Sequence, residues 1–255
     1  GFYTDDGVFA VSPSIRRAVS EAVDGLRSAG VAVEEFSPPD VQDAMQVFRS
    51  LIFPDGGAAF KRMLGSAELD SRLKQSISAS AMPEVIRPLV AWGLDLAGQP
   101  RLADSLRSLR RLSADGFRKR VAQRMTYCTK FLDAMERQQL DAIVCPAFPV
   151  PAPQHGAGGA MGMMTSYTAL YNLLGLPTGA VPFSRVRTGE TSDRPDSRCH
   201  VEQAARKIES GSEGLPIAVQ VVGRHWREDV VLAVMKCLET VGRTRDDFPA
   251  NPPLT

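Results

Sequence analysis

The sequence is short of the residues that announce a chemistry. Cysteine is sparse: Cys128, Cys145, Cys199 and Cys237 form no C-x-x-C pair and no cluster with other metal ligands. That pattern argues against a disulfide framework or a zinc site and fits reduced thiols in an intracellular compartment. Histidine is sparser, with His155, His200 and His225 far apart. Geometry defines a catalytic triad, so distant residues could form one, but nothing local supports it and surface histidines are the simpler reading. There is no G-x-S-x-G elbow and no G-x-x-x-x-G-K-S/T phosphate loop. The run from Gly156 to Gly162 approaches a dinucleotide fingerprint, but Met161 stands where the third glycine belongs and a Pro-rich stretch precedes it. The adjacent pairs Asp5-Asp6 and Glu34-Glu35 point to opposite sides of an extended chain, so they make no acid/base couple. No catalytic residue, cofactor or metal is expected from these residues. No apolar run reaches the about 18 residues of a spanning helix. A net charge of +1 gives no reason to expect nucleic acid as a partner. There is no signal peptide, and the first residue is Gly rather than Met, so a segment upstream is expected.

What is present is an ordinary globular pattern, 44% apolar and 23% charged over 255 residues. Ser12 and Pro13 open a helix whose Ile15, Val19, Ala22 and Leu26 share one face, and Gly30 closes it. Val31–Phe36 reads as a strand, with Val31 and Val33 on one side. From Val41 to about Arg137 the pattern is helical, broken at Asp55-Gly56-Gly57, Met82-Pro83 and Gly98-Gln99-Pro100. Within it, Val85, Leu89, Trp92 and Leu96 form one apolar stripe. Leu102, Leu106, Leu109 and Leu112 form another, interleaved with Arg101, Arg107, Arg110 and Arg111. Such stripes suit either a core-facing helix pair or an interfacial membrane element. Leu140–Phe148, Thr178–Phe183 and Leu215–Val222 read as strands apolar on both faces, which calls for cover on both sides. A Gly-rich loop leads into a helix with Tyr167, Leu170, Tyr171 and Leu174 on one face. Residues 184–214 read as a solvated polar insertion with a short helix near Val201–Ile208. A last helix buries Val231, Val234, Met235 and Leu238, and the tail after residue 242 reads as loose.

Three segments resemble the amidase-signature family. They are Gly1-Phe2-Tyr3-Thr4-Asp5-Asp6 with Ser12 to Val19, then Ser166 to Asn172 running on to Pro182, and Gly214 to Gln220. Order and spacing agree from residue 1 to about residue 240. Phe53-Pro54-Asp55-Gly56-Gly57 and the Ser166-Tyr167-Thr168 run narrow the likeness to the fatty-acid amide hydrolase branch.

The resemblance implies an α/β fold, a mixed β-sheet flanked by helices, with residues 1–255 forming the C-terminal portion of an amidase-signature domain. It also implies a serine hydrolase of lipid amides or other small amides, working through a Ser-Ser-Lys triad. A serine hydroxyl needs a base, a lysine base needs its pKa depressed, and Gly-rich backbone N–H groups hold the oxyanion. This sequence has no Gly-Gly-Ser-Ser-Gly-Gly stretch, so no serine or lysine receives that role. By position, Phe53 and Thr168 match residues lining an acyl channel, and Leu51, Ile52, Tyr167 and Tyr171 are neighbouring candidates. Val85, Leu89, Trp92 and Leu96 fall where that branch carries a membrane-associating cap. The expected protein is therefore cytoplasmic or peripheral on a membrane. Its expected partners are an N-terminal catalytic half and, possible for a chain with uncovered sheet, further copies forming a homo-oligomer. The rival reading is a non-catalytic lipid-binding remnant, or a subunit completed in trans by a separate N-terminal half.

Overall fold

The computed structural model describes residues 1–68, 77, 82–108 and 111–250. Three antiparallel strands form the sheet: β1 (Ala142–Pro146), β2 (Thr178–Arg185) and β3 (Pro216–Gly223), in the order β1-β3-β2. Central β3 is the valine-rich run, as expected of a strand paired on both edges and covered on both faces. Phe2 adds parallel bridges, to Val144 on one side and Glu35 on the other. Tyr3 N–H donates to the Val144 carbonyl (3.2 Å) and Phe36 N–H to that of Phe2 (2.8 Å), which makes the sheet mixed at its β1 edge. Val31–Phe36 is corrected here: only Glu35 bridges, and Val31 is exposed. That segment meets a partner on one side only, where pairing extends over a few residues.

Two helical layers enclose the sheet. On one face lie α1 (Pro13–Ser28) and α10 (Glu228–Gly242), whose Val19, Ala22, Leu26, Val231 and Leu238 pack on Val144, Val181, Phe183, Val219 and Val221. Gly179 is what lets α10 settle on β2, since a Cβ there would stand 2.2 Å from the Met235 sulfur. On the other face lie α2 (Val41–Ile52), α6 (Ala114–Arg137) and α8 (Ser166–Leu174), packed on Ile143, Cys145 and Val222. Their core takes residues from β1 and β3 but none from β2. Thr178, Ala180 and Pro182 are accordingly exposed while Val181 and Phe183 are buried. The expectation of cover on both faces is corrected for β2, an edge strand covered on one face.

Smaller helices fill the periphery: α3 (Ala58–Leu64), α4 (Arg87–Leu96), α5 (Pro100–Ser108), α7 (Gly158–Met161) and α9 (His200–Ser210). The breaks between α2 and α3 and between α4 and α5 fall at the glycine and proline clusters that signalled them. Leu109 and Arg110 of the second apolar stripe lie outside the described residues.

The polar insertion is solvated only in part: Arg187 to Gly189, Pro195 and Asp196 are exposed, whereas Arg194 and one face of α9 are buried. Phe9 is fully buried between two guanidinium groups, Arg101 at 4.3 Å and Arg194 at 4.6 Å from its ring centroid. Arg194 is itself buried, donating to Glu209 (2.9 Å), Glu202 (2.9 Å) and the Ala10 carbonyl. Val201, Ala205 and Ile208 of α9 pack into the same cluster with Met164 and Val150. Composition registers polarity, whereas α9 is held by the apolar face of Val201, Ala205 and Ile208, and the buried Arg194 beside it is matched by acceptors.

The tail after residue 242 is also corrected, as far as Phe248. Phe248 covers Gly242, and Asp247 accepts hydrogen bonds from Ser184 (2.8 Å), Arg187 (2.9 Å) and Arg245 (3.1 Å). Burial opposes ionisation of Asp247, but these donors outweigh it and lower the carboxyl from 3.8 to about 2. A depressed carboxyl stabilises the fold above its unfolded pKa and loses that contribution as pH falls through its folded value. The shift corresponds to about 2 kcal/mol. Asp247→Asn is expected to lower stability by about 1–2 kcal/mol at pH 7, with the difference closing between roughly pH 5 and pH 2. Denaturant titrations across that range check it; a difference independent of pH would contradict it.

Candidate functional site

The site is built where α2 ends. Val41, Ala44, Met45 and Val47 face the core, which leaves Gln42 and Arg49 on the outer face. The helix stops at Ile52 because Phe53 precedes Pro54, and a residue before proline is pushed out of helical geometry. Phe53 has φ −127° and ψ 59°. Asp55 then caps α3, one carboxylate oxygen accepting from Gly57 N–H (3.0 Å) and the other from Ala59 N–H (2.6 Å). Gly56 and Gly57 adopt φ of 70° and 78°, the left-handed region the turn requires. Those N–H donors, Ala59 first, hold the Asp55 carboxyl below its ordinary range.

This turn places Ile52 and Phe53 on a cavity of about 210 Å³. Arg49, Gln42, Arg101, Asp104 and Ser105 supply its polar lining, and Gly159, Gly162 and Met163 close it from the Gly-rich loop. A wider cleft of about 1000 Å³ shares Gln42, Arg101 and Asp104 with it and runs between the α4–α5 junction and residues 193–202.

Behind the loop, α8 inserts Tyr167 and Tyr171 into the core, and Gly175 ends it at φ 71°. The Tyr171 hydroxyl lies 2.7 Å from that of Tyr3 and 3.6 Å from the Cys145 sulfur. The Tyr167 hydroxyl accepts from Asp6 N–H (3.0 Å) and donates to the Phe9 carbonyl (3.0 Å). Burial raises the pKa of Tyr3, Tyr167, Tyr171 and the Cys145 thiol, so all four stay protonated at neutral pH. Burial also raises Asp6, against the two N–H groups, of Val8 and Phe9, that its carboxylate accepts. These hydroxyls are buried within the chain's own core. Leu51 packs half-buried beside the same core, and Thr168, half-buried on α8, donates to the Thr165 carbonyl (3.1 Å).

Residues 1–232 match the amidase family. The chain belongs to that family. Among its relatives are fatty acid amide hydrolase 1 of Caenorhabditis elegans, 31% identical, and fatty-acid amide hydrolase 1 of Sus scrofa, 30% identical. Each alignment covers 94% of this chain and 42% of the relative. An acetamidase of Emericella nidulans is 26% identical, over 95% of this chain and 40% of its own length. A solved fatty acid amide hydrolase shares the fold with a TM-score of 0.70 at 23% identity, over 94% of this chain and 39% of that one. The amidase chain described here thus spans about two fifths of the length of the relatives it matches, and it is a partial amidase-signature domain resembling fatty-acid amide hydrolase.

Within this amidase domain, the expected site residues separate. Ile52 and Phe53 share the cavity, whereas Tyr167 and Tyr171 lie in the core behind it. Val85, Leu89, Trp92 and Leu96 are 90%, 67%, 57% and 66% exposed, so this stripe faces away from the chain's own core. Helix α4 is held instead by buried Ala91, against Ala103 and Leu106 of α5, and by Arg87, which donates to the Leu106 (2.6 Å) and Met82 (2.8 Å) carbonyls. No helix among the described residues is long and apolar enough to cross a membrane. His225 meets the Leu174 carbonyl (3.2 Å), while His155 and His200 are exposed elsewhere. Sequence reasoning missed Arg49, Arg101 and the Gly159–Met163 wall. A signal existed: Gln42 and Arg49, seven residues apart, share the face of α2 opposite its core stripe.

Proposed function

We propose that this chain forms the acyl-binding part of an amide hydrolase that cleaves lipid amides through an acyl-serine intermediate. The observation that carries the reading is the cavity at the end of α2, where Ile52 and Phe53 stand together against the Gly-rich loop. Leu51, Tyr167 and Tyr171 pack in the adjoining core, and Thr168 on α8 is assigned to the same channel by the family resemblance. The Ser-Ser-Lys machinery is supplied by an N-terminal half, upstream or in trans. The exposed face of α4 rests on a membrane surface. The alternative reading is a lipid-binding remnant with no catalytic partner.

The experiment uses a protein completed with the catalytic half. Thr168→Trp is expected to raise KM for long acyl amides about tenfold more than for short ones, the scale of discrimination a changed apolar wall supplies. Equal effects on both chain lengths would remove Thr168 from the channel. Absence of turnover in the completed protein would favour the remnant.

A further inference from the structure

Arg49 is a partly buried charge at the cavity without a full set of partners among the described residues. It lines the cavity at the end of α2, yet its Nη1 is buried and has no hydrogen-bond partner among the described residues. A guanidinium carries five N–H donors and stays charged, so leaving it without an acceptor out of water is costly. The neighbouring charges are already committed. Asp104 is paired with Arg107 (3.1 Å), and Arg101 with Glu202 (2.6 Å) and the Val8 carbonyl (2.9 Å). Burial, the largest influence, and Arg101 disfavour charge on Arg49, and Asp104 only partly offsets them. No described residue accepts a hydrogen bond from its Nη1, which leaves that place open to a bound acceptor.

The walls say what kind. The cavity, about 210 Å³, is several times the ~30 Å³ share of one liquid water, so it admits more than a single solvent molecule. Ile52, Phe53 and Met163 make its apolar surface. At Gly159 and Gly162 an added Cβ would meet nothing within 4 Å, so that side is open backbone. One guanidinium beside the Asp104 carboxylate suits a planar monoanion, which it can grip through two parallel N–H groups. A dianionic phosphate would meet Asp104 with twice the repulsion.

We infer that this cavity is a subsite for the carboxylate of an apolar-chain ligand, with Arg49 as its receptor and Ile52, Phe53 and Met163 holding the adjoining chain. Such a carboxylate can belong to a free fatty acid or to an acyl amide whose headgroup is an amino acid. The inference deepens the amide-hydrolase reading, but binding is measured without turnover, so the two can fail separately.

The test is calorimetric titration of the 255-residue chain with octanoate, N-octanoylglycine and octan-1-ol. At least one carboxylate is expected to bind ten or more times more tightly than the alcohol, and the tighter of the two identifies the source. Arg49→Gln is expected to erase the preference and Arg49→Lys to keep part of it. Octan-1-ol binding as tightly as both carboxylates, or no binding of either, would overturn the assignment, as would an unchanged preference in Arg49→Gln. The comparison of ligands on the parent chain needs no variant, so a misfolded Arg49→Gln protein leaves the question decided.

Discussion

Incubated with a fluorogenic lipid amide, the purified 255-residue chain is expected to release product no faster than buffer does. Acyl transfer needs a nucleophile, a base within about 3 Å and an oxyanion hole together. Loss of the nucleophile alone costs on the order of 10⁶ in kcat in a well-studied serine hydrolase. The described serines nearest to glycine-rich backbone are otherwise engaged. Ser210 donates to the Arg206 carbonyl (2.9 Å) and buried Ser212 to that of Glu209 (2.7 Å), while Lys207 is exposed. Ser166 follows the Gly-rich loop, but its hydroxyl is buried and a substrate has no access to it. A fluorophosphonate probe is therefore expected to label nothing stoichiometrically. Labelling of one serine, abolished by its change to Ala, would show that the chain carries a complete site.

In a flotation assay with vesicles containing anionic lipid, the chain is expected to rise with the vesicles, and Leu89→Glu/Trp92→Glu to remain in the soluble fraction. Burying Leu89, Trp92 and Leu96 in a lipid interface would contribute about 1.5–3 kcal/mol each, and two buried carboxylates would reverse that gain. The arginines beside the stripe contribute less than their number suggests, because Arg107 is paired with Asp104 and Asp95, and Arg101 with Glu202. Because positions 89 and 92 are exposed, the double substitution is expected to leave the melting temperature nearly unchanged. An unaltered vesicle-bound fraction would contradict the membrane assignment.

The parts of the fold that could be read from the residues are those where one periodicity decides the environment. Helix α1 buries Ile15, Val19, Ala22 and Leu26, and β3 is valine-rich because it is central, with buried Gln220 hydrogen-bonded to the Tyr167 carbonyl. The same periodicity identified Tyr167 and Tyr171 as buried, and their burial sets them in the core instead of an open channel. Phe53 was legible through its Pro-Asp-Gly-Gly sequel, since a proline and two left-handed glycines permit few conformations. Segment 184–214 was legible only in part: its exposed stretches match its polar composition, while the burial of Arg194 rests on its meeting Glu202 and Glu209, pairings that composition does not encode. Arg49 was overlooked for a related reason: one arginine on an amphipathic helix looks solvated until a neighbouring loop closes over it.

The clamp on Phe9 bears on how the chain is made. Arg194 reaches the Ala10 carbonyl across 184 residues of sequence. At about 5–20 residues per second, a ribosome needs roughly 10–40 s to deliver the second guanidinium after the aromatic ring has emerged. For that interval Phe9 lacks its full cover and has at most one of its two charge partners, Arg101. Phe2 likewise waits for Val144 before its bridge to the sheet can form. Phe2 and Phe9 therefore wait for partners far downstream, and in that interval nascent chains are open there to chaperone capture or mispairing.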